Sequence, residues 1–291
     1  MKTMLLVFAH PDDESFSCGI TVSKYAANGW NVQLICITNG QKGTKGPYEE
    51  ADEEGLGNIR KTELEDAARI LGISEIDYLD YHDGNLKKVE SGELEDILYR
   101  KMVEISPQIV ITSDPTGISN HPDHIKTCYS TTYAFQKYTQ EIAQARQFVE
   151  DVNNEDKNVK IRHFYKEHKF ALQKENFTKV VDGKIEPKLY YACMPQSVAE
   201  FLLKKNVLPE ESFGSKIEGT PDDMITTVIE GKNFVAKKKK ALKKHISQTA
   251  DIERFFGISN NPLSSKEYFI LRMHGYTEVF MGKNDKVRDR L

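Results

Sequence analysis

The chain has 291 residues, which is long for a minimal domain and short for two large ones, so we expect one domain over residues 1–291. Hydrophobic residues make up 39% and charged residues 29% of the sequence, which is typical of a soluble protein with a full core and argues against disorder or membrane residence. A net charge of −4 indicates no general attraction to nucleic acid. The first apolar run is too short for a signal-peptide core and no later run has the length of a membrane span, so we expect a cytoplasmic location.

The first predicted element is a buried strand over residues 4–7, and an acidic turn follows it. Consecutive apolar residues suit a parallel strand that is covered on both faces. The turn contains His10, Pro11, Asp12 and Asp13, and Pro11 suits the first turn of a following helix. Open α/β sheets hold ligands at the carboxyl ends of their strands, and histidine with carboxylate is a donor set for a divalent metal. Acidic residues also favour helix N-termini in general, but that preference does not account for His10.

The next predicted elements are a helix, a strand, a loop and a second helix. They cover residues 15–28, 30–38, 39–57 and 58–72, in that order. The glycines of the loop, including Gly55 and Gly57, interrupt any regular pattern, so we expect a mobile loop that forms either a lid over the strand ends or a solvated segment. Arg60 and Glu63 lie in the first turn of the second helix, where an exposed ion pair is the simplest interpretation.

A third strand over residues 76–79 leads to Asp83 and Gly84, again at the carboxyl end of a strand. Asp83 could bind a ligand there or form a turn with Gly84. Apolar residues at helical spacing then predict a core-facing helix over residues 93–105. A fourth buried strand is predicted over residues 109–112.

The loop after the fourth strand leads to a second histidine cluster, in which His121 and Pro122 are followed by Asp123 and His124. A spacing of three places both histidines on one side of a helical first turn. If the first and fourth strands are neighbours where the sheet changes its winding direction, both clusters face one crevice. We therefore predict a Rossmann-like, doubly wound α/β fold with a mainly parallel sheet and helices on both faces.

The second half of the chain gives fewer signals. The helix after the second cluster is expected to end near Tyr138, and residues 140–185 then lose clear periodicity. We interpret this segment as an insertion in which His163 and His168 are surface residues rather than ligands. Two further strands are predicted, over residues 189–193 and 224–229.

Two other groups of residues need no functional interpretation. The lysine run at residues 237–240 suits a solvated helix face. A surface for anionic lipid or nucleic acid is the alternative, which the acidic balance elsewhere and the lack of interleaved aromatic residues weaken. The four cysteines lie far apart in mostly apolar or helical contexts, so we expect reduced packing residues. They are Cys18, Cys36, Cys128 and Cys193.

The two histidine clusters, in this order and context, resemble the motifs of the LmbE-like family, also called the PIG-L family, of zinc-dependent N-acetylglucosaminide deacetylases. The resemblance continues in Arg60 and Glu63, in Asp83 with Gly84, and in residues 245–248, so it touches most of the chain. It implies a small-molecule substrate that contains N-acetylglucosamine, and it implies that Arg60 and Asp83 contact this sugar.

The resemblance also implies the roles of the cluster residues. His10, Asp13 and His124 would hold zinc, or another divalent metal such as Fe²⁺. Asp12 would be the general base for a water that the metal activates, and His121, as an imidazolium, would stabilise the oxyanion or protonate the leaving amine. The reaction implied is hydrolysis of an acetamide. Which N-acetylglucosaminide is the substrate and whether the chain forms oligomers stay open.

Two other classes of protein compete with this interpretation. Two histidines and one carboxylate also describe the iron site of non-haem oxygenases, but such an enzyme has no use for a hydrolytic base such as Asp12 beside Asp13. A non-catalytic sugar-binding module would not need Asp12 and His121 together with the ligands. One departure from the family is noted, since several of its deacetylases have a tyrosine two residues before the position of His121, where this chain has Ser119.

Overall fold

A mainly parallel β-sheet forms the centre of the protein. The computed structural model describes residues 2–154, 168–280 and 287–291. The strands of the sheet are β1 (Thr3–Phe8), β2 (Asn31–Thr38), β3 (Glu75–Tyr81), β4 (Ile109–Ser113), β5 (Lys188–Cys193), β8 (Thr227–Glu230), β9 (Lys266–His274) and β10 (Thr277–Glu278). A separate hairpin consists of β6 (Glu211–Ser212) and β7 (Ser215–Lys216). Strands β1 to β5 are parallel in the order β5-β4-β1-β2-β3, whereas β9 pairs antiparallel with β5, β8 and β10.

Helices cover both faces of this sheet. They are α1 (Asp13–Ala27), α2 (Glu53–Leu71), α3 (Glu93–Ile105), α4 (Gly117–Asn120), α5 (Pro122–Asn154), α6 (Glu175–Asp182), α7 (Gln196–Lys204), α8 (Val235–Leu242) and α9 (Thr249–Phe256), and residues 168–172 are also helical. Short 3₁₀ turns lie at Leu86–Lys88, Asp222–Met224, Lys232–Phe234, Ile246–Gln248 and Pro262–Ser264. Among the helices that the structure describes, none combines the length and the apolar composition that a membrane crossing requires.

The side chains of β1 alternate between two hydrophobic cores. Leu5 and Val7 pack with α3, α5 and α6 on one face of the sheet. Met4, Leu6 and Phe8 pack with α1, α2 and α8 on the other face. Because both faces of the strand are buried, the run is apolar at every position and does not alternate with polar residues. The α/β fold with helices on both faces is confirmed.

The first and fourth strands are neighbours. Leu6 of β1 lies opposite Leu34 of β2 on one side and Ile111 of β4 on the other. The chain builds β1, β2 and β3 outward in one direction, and it then returns to place β4 on the free side of β1. The carboxyl ends of β1 and β4 therefore border a crevice, because the connections that leave them turn to opposite sides. This arrangement confirms the predicted position of the crevice.

Helix α2 begins earlier than the sequence pattern indicated. Asp52 caps it by accepting a hydrogen bond from the N–H of Gly55 at 2.8 Å, so Gly55 and Gly57 lie inside the helix. The expectation that these glycines belong to the preceding loop is wrong, because a good N-cap and tertiary packing outweigh the low helix propensity of glycine. Pro11 precedes the first helical turn of α1, since Asp12 is the N-cap.

Part of the expected insertion at residues 140–185 belongs to the main core. Helix α5 does not end near Tyr138 but continues to Asn154. Helix α6 then buries Phe177, Val180 and Val181 in the core below the sheet. His168 lies against Glu141, with its Nδ1 2.6 Å from a carboxylate oxygen, whereas His163 lies outside the described residues.

The lysine run is only partly a solvated face. Lys238 is 1% exposed, and its ammonium group donates to Glu267 and to the carbonyl of Phe16, each at 2.8 Å. Helix α1 has a break at Cys18, where φ is −146°. Glu267 accepts the N–H of Ile20 and of Thr21 beyond the break, each at 2.8 Å. The Lys238–Glu267 pair therefore forms hydrogen bonds with backbone groups that the break leaves free. The expectation that Lys238 lies on a solvated helix face is wrong.

The segment between β5 and β9 adds a small third core beside the strand ends. It contains Val198, Leu202 and Leu208 together with Met194, Val207 and neighbouring residues. The hairpin β6–β7 projects from this segment, and Phe213 at its tip is 60% exposed with φ at 50°. The sequence analysis assigned no role to this hairpin.

Candidate functional site

All the residues that the two clusters contribute lie at the carboxyl edge of the sheet. His10, Asp12 and Asp13 connect β1 to α1, and Asp83 follows β3. His121 and His124 lie at the start of α5, which follows β4 and the short helix α4. The structure thus brings together the residues that the sequence placed at three separate strand ends.

Donor atoms of three residues converge beyond the end of β1. Nδ1 of His10 lies 3.0 Å from Nε2 of His124. Nε2 of His124 lies 3.2 Å from one carboxylate oxygen of Asp13, and Nδ1 of His10 lies 3.8 Å from the other. Ligand atoms at about 2.1 Å from a tetrahedral zinc ion are about 3.4 Å from one another. The spacing of these three donors therefore fits a single metal ion.

The hydrogen bonds on the far sides of the two rings indicate which nitrogens carry hydrogen. Nε2 of His10 lies 3.0 Å from Oδ1 of Asp83, and Nδ1 of His124 lies 3.0 Å from the carbonyl oxygen of Gly117. Since carbonyl and carboxylate oxygens accept, each of these nitrogens donates, and when both rings are neutral the two facing nitrogens keep their lone pairs. Two lone pairs 3.0 Å apart repel each other unless a proton or a metal ion lies between them. The donor set therefore fits a cation.

Two buried carboxylates orient His10 from behind. Oδ1 of Asp83 accepts from Nε2 of His10, and Oδ2 of Asp123 lies 3.5 Å from the same nitrogen. Both carboxylates also accept backbone N–H groups, from Lys42 at 3.0 Å and from Gly84 at 2.6 Å respectively. Partners of this kind fix the ring and tautomer of a metal ligand. The contact between Asp83 and a sugar stays a prediction. The sequence analysis did not identify Asp123 as a residue that orients His10, although its position between His121 and His124 was a signal.

The charges of the cluster are strongly coupled. Burial alone would lower the pKa of His10, but the hydrogen bonds to Asp123 and Asp83 and the charge of Asp13 outweigh burial and raise this pKa to about 10. Burial likewise opposes ionisation of Asp13, but His124 and His10 beside it hold its pKa well below the usual range. A metal ion that binds here therefore has to displace a proton from the histidine pair.

His121 lies beside these ligands. Its ring stacks on that of His124 with the centroids 4.8 Å apart. The backbone N–H of Asp123 donates to Nδ1 of His121 at 3.2 Å, so Nε2 carries the hydrogen of the neutral ring. Burial, followed by the positive charges of His10 and His124, lowers the pKa of His121 to about 4. These contacts favour a neutral imidazole, in contrast to the imidazolium that was expected, and the ring nitrogen that faces away from Asp123 is a hydrogen-bond donor.

Arg60 pairs with Asp12 next to Asp13. Arg60 is 3% exposed and donates to a carboxylate oxygen of Asp12 at 3.1 Å. It also donates to the carbonyl oxygens of Pro11 and Gly40. Burial raises the pKa of Asp12 to about 6, although the charge of Arg60 opposes this shift. A carboxylate with a raised pKa near the working pH suits a general base.

Glu63 is buried as well and does not pair with Arg60. Its two carboxylate oxygens accept from the backbone N–H and the hydroxyl of Ser247, at 2.7 and 2.6 Å. The structure therefore does not support an exposed ion pair between Arg60 and Glu63, which was the alternative to sugar binding by Arg60. The neighbouring loop is also tied to this region, since Gln248 donates to the carbonyl oxygen of Thr44 at 2.8 Å.

A cavity of about 670 Å³ is lined by His10, Asp13 and His124, among other residues. One side of it is polar and contains His10, Asp12, Asp13, Arg60 and His121. The other side has an apolar part, which is formed by Phe16, Met194, Leu208, Phe213, Phe255 and Phe256, and Asp251 and Arg254 also line the cavity. The ring of Phe213 meets that of His121 with the centroids 4.7 Å apart. None of the described residues between 140 and 185 lines the cavity, whereas Ser119 does.

Comparisons with known proteins agree with this architecture. The family described as PIG-L, GlcNAc-PI de-N-acetylase, matches residues 5–135. The chain is 30% identical to a 1D-myo-inositol 2-acetamido-2-deoxy-alpha-D-glucopyranoside deacetylase from Thermobifida fusca (strain YX), over 94% of this chain and 93% of the relative.

Two solved structures have the same fold. One is N,N'-diacetylchitobiose deacetylase from Pyrococcus horikoshii, with a TM-score of 0.57 and 20% identity over 94% of this chain and 84% of that one. The other is GalB, the 4-carboxy-2-hydroxymuconate hydratase from Pseudomonas putida KT2440, with a TM-score of 0.55 and 17% identity over 97% and 99% of the two chains. Since these two enzymes catalyse different reactions, the fold alone does not determine the chemistry. The full-length similarity to the curated relative, together with the matched family segment, shows that the chain belongs to the PIG-L family, also called the LmbE-like family.

Proposed function

We propose that the protein is a metal-dependent hydrolase that removes the acetyl group from a small molecule containing N-acetylglucosamine. The observation that carries this proposal is the convergence of His10, Asp13 and His124 on one point, with a second carboxylate, Asp12, directly beside them. Relatives named as deacetylases of an N-acetylglucosamine-type glycoside support the substrate class. The reaction class rests on the site residues, because the fold also occurs in a hydratase.

We assign His10, Asp13 and His124 as the residues that would hold the metal. Zinc is our choice, since two imidazole nitrogens and one carboxylate are a common catalytic zinc set and leave a position open. When bound, the metal would polarise the amide carbonyl and lower the pKa of water. Iron with the same ligands would serve an oxygenase, but Asp12 would then have no function.

We assign Asp12 as the general base. It would accept the proton of the attacking water and then donate it to the nitrogen of the sugar as the C–N bond breaks, which yields acetate and a free amine. Arg60 holds one carboxylate oxygen of Asp12 at 3.1 Å, so its first role in this proposal is to orient the base. A contact between Arg60 and the sugar would use the guanidinium N–H groups that these bonds leave free.

We assign His121 as the group that stabilises the oxyanion. Its Nδ1 accepts from the N–H of Asp123, which leaves a hydrogen on Nε2 for the substrate oxygen. A neutral donor is sufficient for this role, because an oxyanion is stabilised by a preorganised hydrogen bond. With this assignment the leaving amine receives its proton from Asp12, and the imidazolium of our first interpretation is not required.

The test is release of acetate from a panel of N-acetylglucosaminides by the purified protein. The panel should include an inositol glycoside, a chitooligosaccharide and a simple alkyl glycoside, each with untreated, chelator-treated and zinc-reconstituted protein. We expect acetate from at least one substrate, loss of activity after chelation and recovery with zinc. Sugar binding that survives chelation without any release of acetate would instead identify a binding module. Activity that depends on O₂ and iron would identify an oxygenase.

A further inference from the structure

Asp12 has a backbone conformation that is unusual for a residue with a side chain. Its φ of 113° lies in the left-handed region, which favours glycine. Its carbonyl oxygen nevertheless begins α1, since it accepts the N–H groups of Ser15 and Phe16 at 2.9 and 3.0 Å. An aspartate at an N-cap usually accepts with its carboxylate from the N–H of the second or third helical residue, here Glu14 or Ser15. Here the side chain makes no such bond, so the carboxylate stays free to face the cavity.

Glu14 holds the backbone of Asp12 in this conformation. Its Oε2 accepts the N–H of Asp12 at 3.0 Å. Its Oε1 accepts the hydroxyl of Ser15 and lies 3.2 Å from Nε2 of His245. Glu14 is 0% exposed, and it is absent from the residues that line the cavity. Its carboxylate is therefore used inside the protein, and it does not reach a substrate.

His245 supports Glu14 from a distant part of the chain. It lies after α8, 231 positions along the sequence, and it is 0% exposed. Because the Glu14 carboxylate accepts, Nε2 of His245 carries the hydrogen. Its Nδ1 is buried and has no hydrogen-bond partner among the residues that the structure describes. Burial of this imidazole leaves one ring nitrogen without a hydrogen bond, which costs free energy. This cost indicates that the position of the ring is needed for the bond to Glu14.

We propose that Glu14 and His245 are positioning residues that fix Asp12 in the left-handed conformation, so that its carboxylate stays beside the metal ligands. This inference rests on the proposed function, since it assumes that Asp12 is the base. The base is thus held twice, at its carboxylate by Arg60 and at its backbone N–H by Glu14. Both supports are buried, and they come from different elements of the fold.

The first test compares Glu14→Leu, which has no acceptor, with Glu14→Gln, whose amide oxygen can still accept the N–H of Asp12. We expect kcat of Glu14→Leu to fall about 10- to 100-fold, the loss that a small misplacement of a catalytic group causes. KM and metal content should change little. Glu14→Gln should recover most of the turnover. Equal losses in both variants, or loss of the metal from Glu14→Leu, would overturn the proposal.

The second test asks whether Glu14 acts through Asp12. We expect Glu14→Leu to lower the residual kcat by no more than about 2-fold when Asp12 is already Asn, because residues that act as a unit are not additive. The matched control is Glu141→Leu, another glutamate paired with a histidine, which lies 2.6 Å from Nδ1 of His168 and does not line the cavity. It should lower the melting temperature and change kcat little in either background. If Glu14→Leu lowers kcat by the same factor in both backgrounds, Glu14 is merely structural.

Two further readouts keep the proposal testable. If Glu14→Leu does not fold, His245→Leu is the alternative, because it removes only the residue that supports Glu14. It should show a smaller loss of kcat with the same dependence on Asp12. An unchanged kcat in that variant would remove His245 from the proposal. A crystal structure of a Glu14 or His245 variant should show φ of Asp12 shifted out of the left-handed region, and an unshifted φ would contradict the inference. This structural readout does not depend on the reaction, whereas failure of the wild type to release acetate would contradict only the proposed function.

Discussion

The polar and the apolar sides of the cavity are built in different ways. The polar side comes from short contiguous segments that follow strands of a doubly wound sheet, so His10, Asp12 and Asp13 are positioned by a single turn. The apolar side combines Phe16 of α1 with Phe213, Phe255 and Phe256, which come from a hairpin and a helix inserted between β5 and β9. Metal chemistry requires particular residue types at fixed spacing, while an apolar wall requires only bulk. The two sides therefore differ in what a sequence reveals and in what a mutation should do.

The largest effect should come from the metal ligands on the polar side. His10→Ala and His124→Ala each remove one of the three converging donors, so both should lose most of the bound metal and nearly all activity. Metal analysis of the purified variants measures this directly. His274→Ala, at an exposed position on β9, is the control and should keep its metal. Full metal content in both site variants would mean that the ion is held elsewhere.

The next effect concerns His121, where the polar side meets Phe213. His121→Ala removes the proposed oxyanion donor and should lower kcat about 10²- to 10³-fold, as the loss of such a donor does in other hydrolases. Metal content should stay near one ion per chain, because the proposed ligands are His10, Asp13 and His124. Retention of kcat would assign His121 to positioning, and loss of the metal would make it a ligand.

A third prediction tests how Lys238 of α8 and Glu267 of β9 together stabilise α1. Lys238→Met leaves Glu267 buried without its cation, and breaking such a pair from one side typically costs about 3 kcal/mol of unfolding free energy. Lys239→Met, at an exposed neighbour, should change stability by no more than about 0.5 kcal/mol. Urea unfolding of both variants provides the comparison. Equal stability of the two would mean that the pair does not stabilise the break in α1.

The sequence predicted the polar side well because its signals are local. Buried parallel strands are apolar at every position, and the histidine clusters directly follow β1 and precede α5, so strand ends and ligands could be placed together. The bounds of α3 agree with the predicted helix over residues 93–105 because its core face repeats regularly. Nothing in these steps required knowledge of distant contacts.

The parts that the sequence did not predict depend on contacts between distant segments. The burial of Lys238 follows from a break in α1 and from Glu267 on β9, which no charge pattern within the lysine run indicates. The pairing of Glu63 with Ser247 joins α2 to the turn after α8. The early start of α2 required Asp52 as a cap to outweigh two glycines. Residues of these kinds look like surface positions until the fold brings their partners together.

A fourth prediction tests the apolar side alone. The Phe213 ring is 60% exposed and lies at the mouth of the cavity against His121, so it can pack on a bound sugar. Phe213→Ala should raise KM about 5-fold, which corresponds to about 1 kcal/mol of binding, with little change in kcat or metal content. Tyr276→Ala is the control, since Tyr276 is similarly exposed at the turn between β9 and β10. A lower kcat with unchanged KM would show that the hairpin supports His121 and does not bind the sugar.

The smallest effect should come from the helix pair behind the polar side, where Glu95 of α3 binds Lys126 and Ser130 of α5 at 2.7 and 2.6 Å. Burial alone would raise the pKa of Glu95, but these hydrogen bonds outweigh it and lower this pKa to about 2. Because the folded pKa is below the unfolded value of about 4.3, the ionised form stabilises the fold above that value, and the contribution is lost as the pH falls toward 2.

Glu95→Gln should therefore lower the unfolding free energy at pH 6 by about 1 kcal/mol, and this difference from the wild type should fall to roughly half at pH 3, which lies between the folded and the unfolded pKa. Urea unfolding of chelator-treated protein at both pH values separates this effect from release of the metal. Asp96→Asn is the matched control, because its pKa is also lowered by Arg100 and Lys137 but its side chain is 43% exposed. Water screens that pair, so the control should show less than half of the pH dependence. If both variants depend equally on pH, burial of Glu95 does not strengthen the link between α3 and the helix that carries His124.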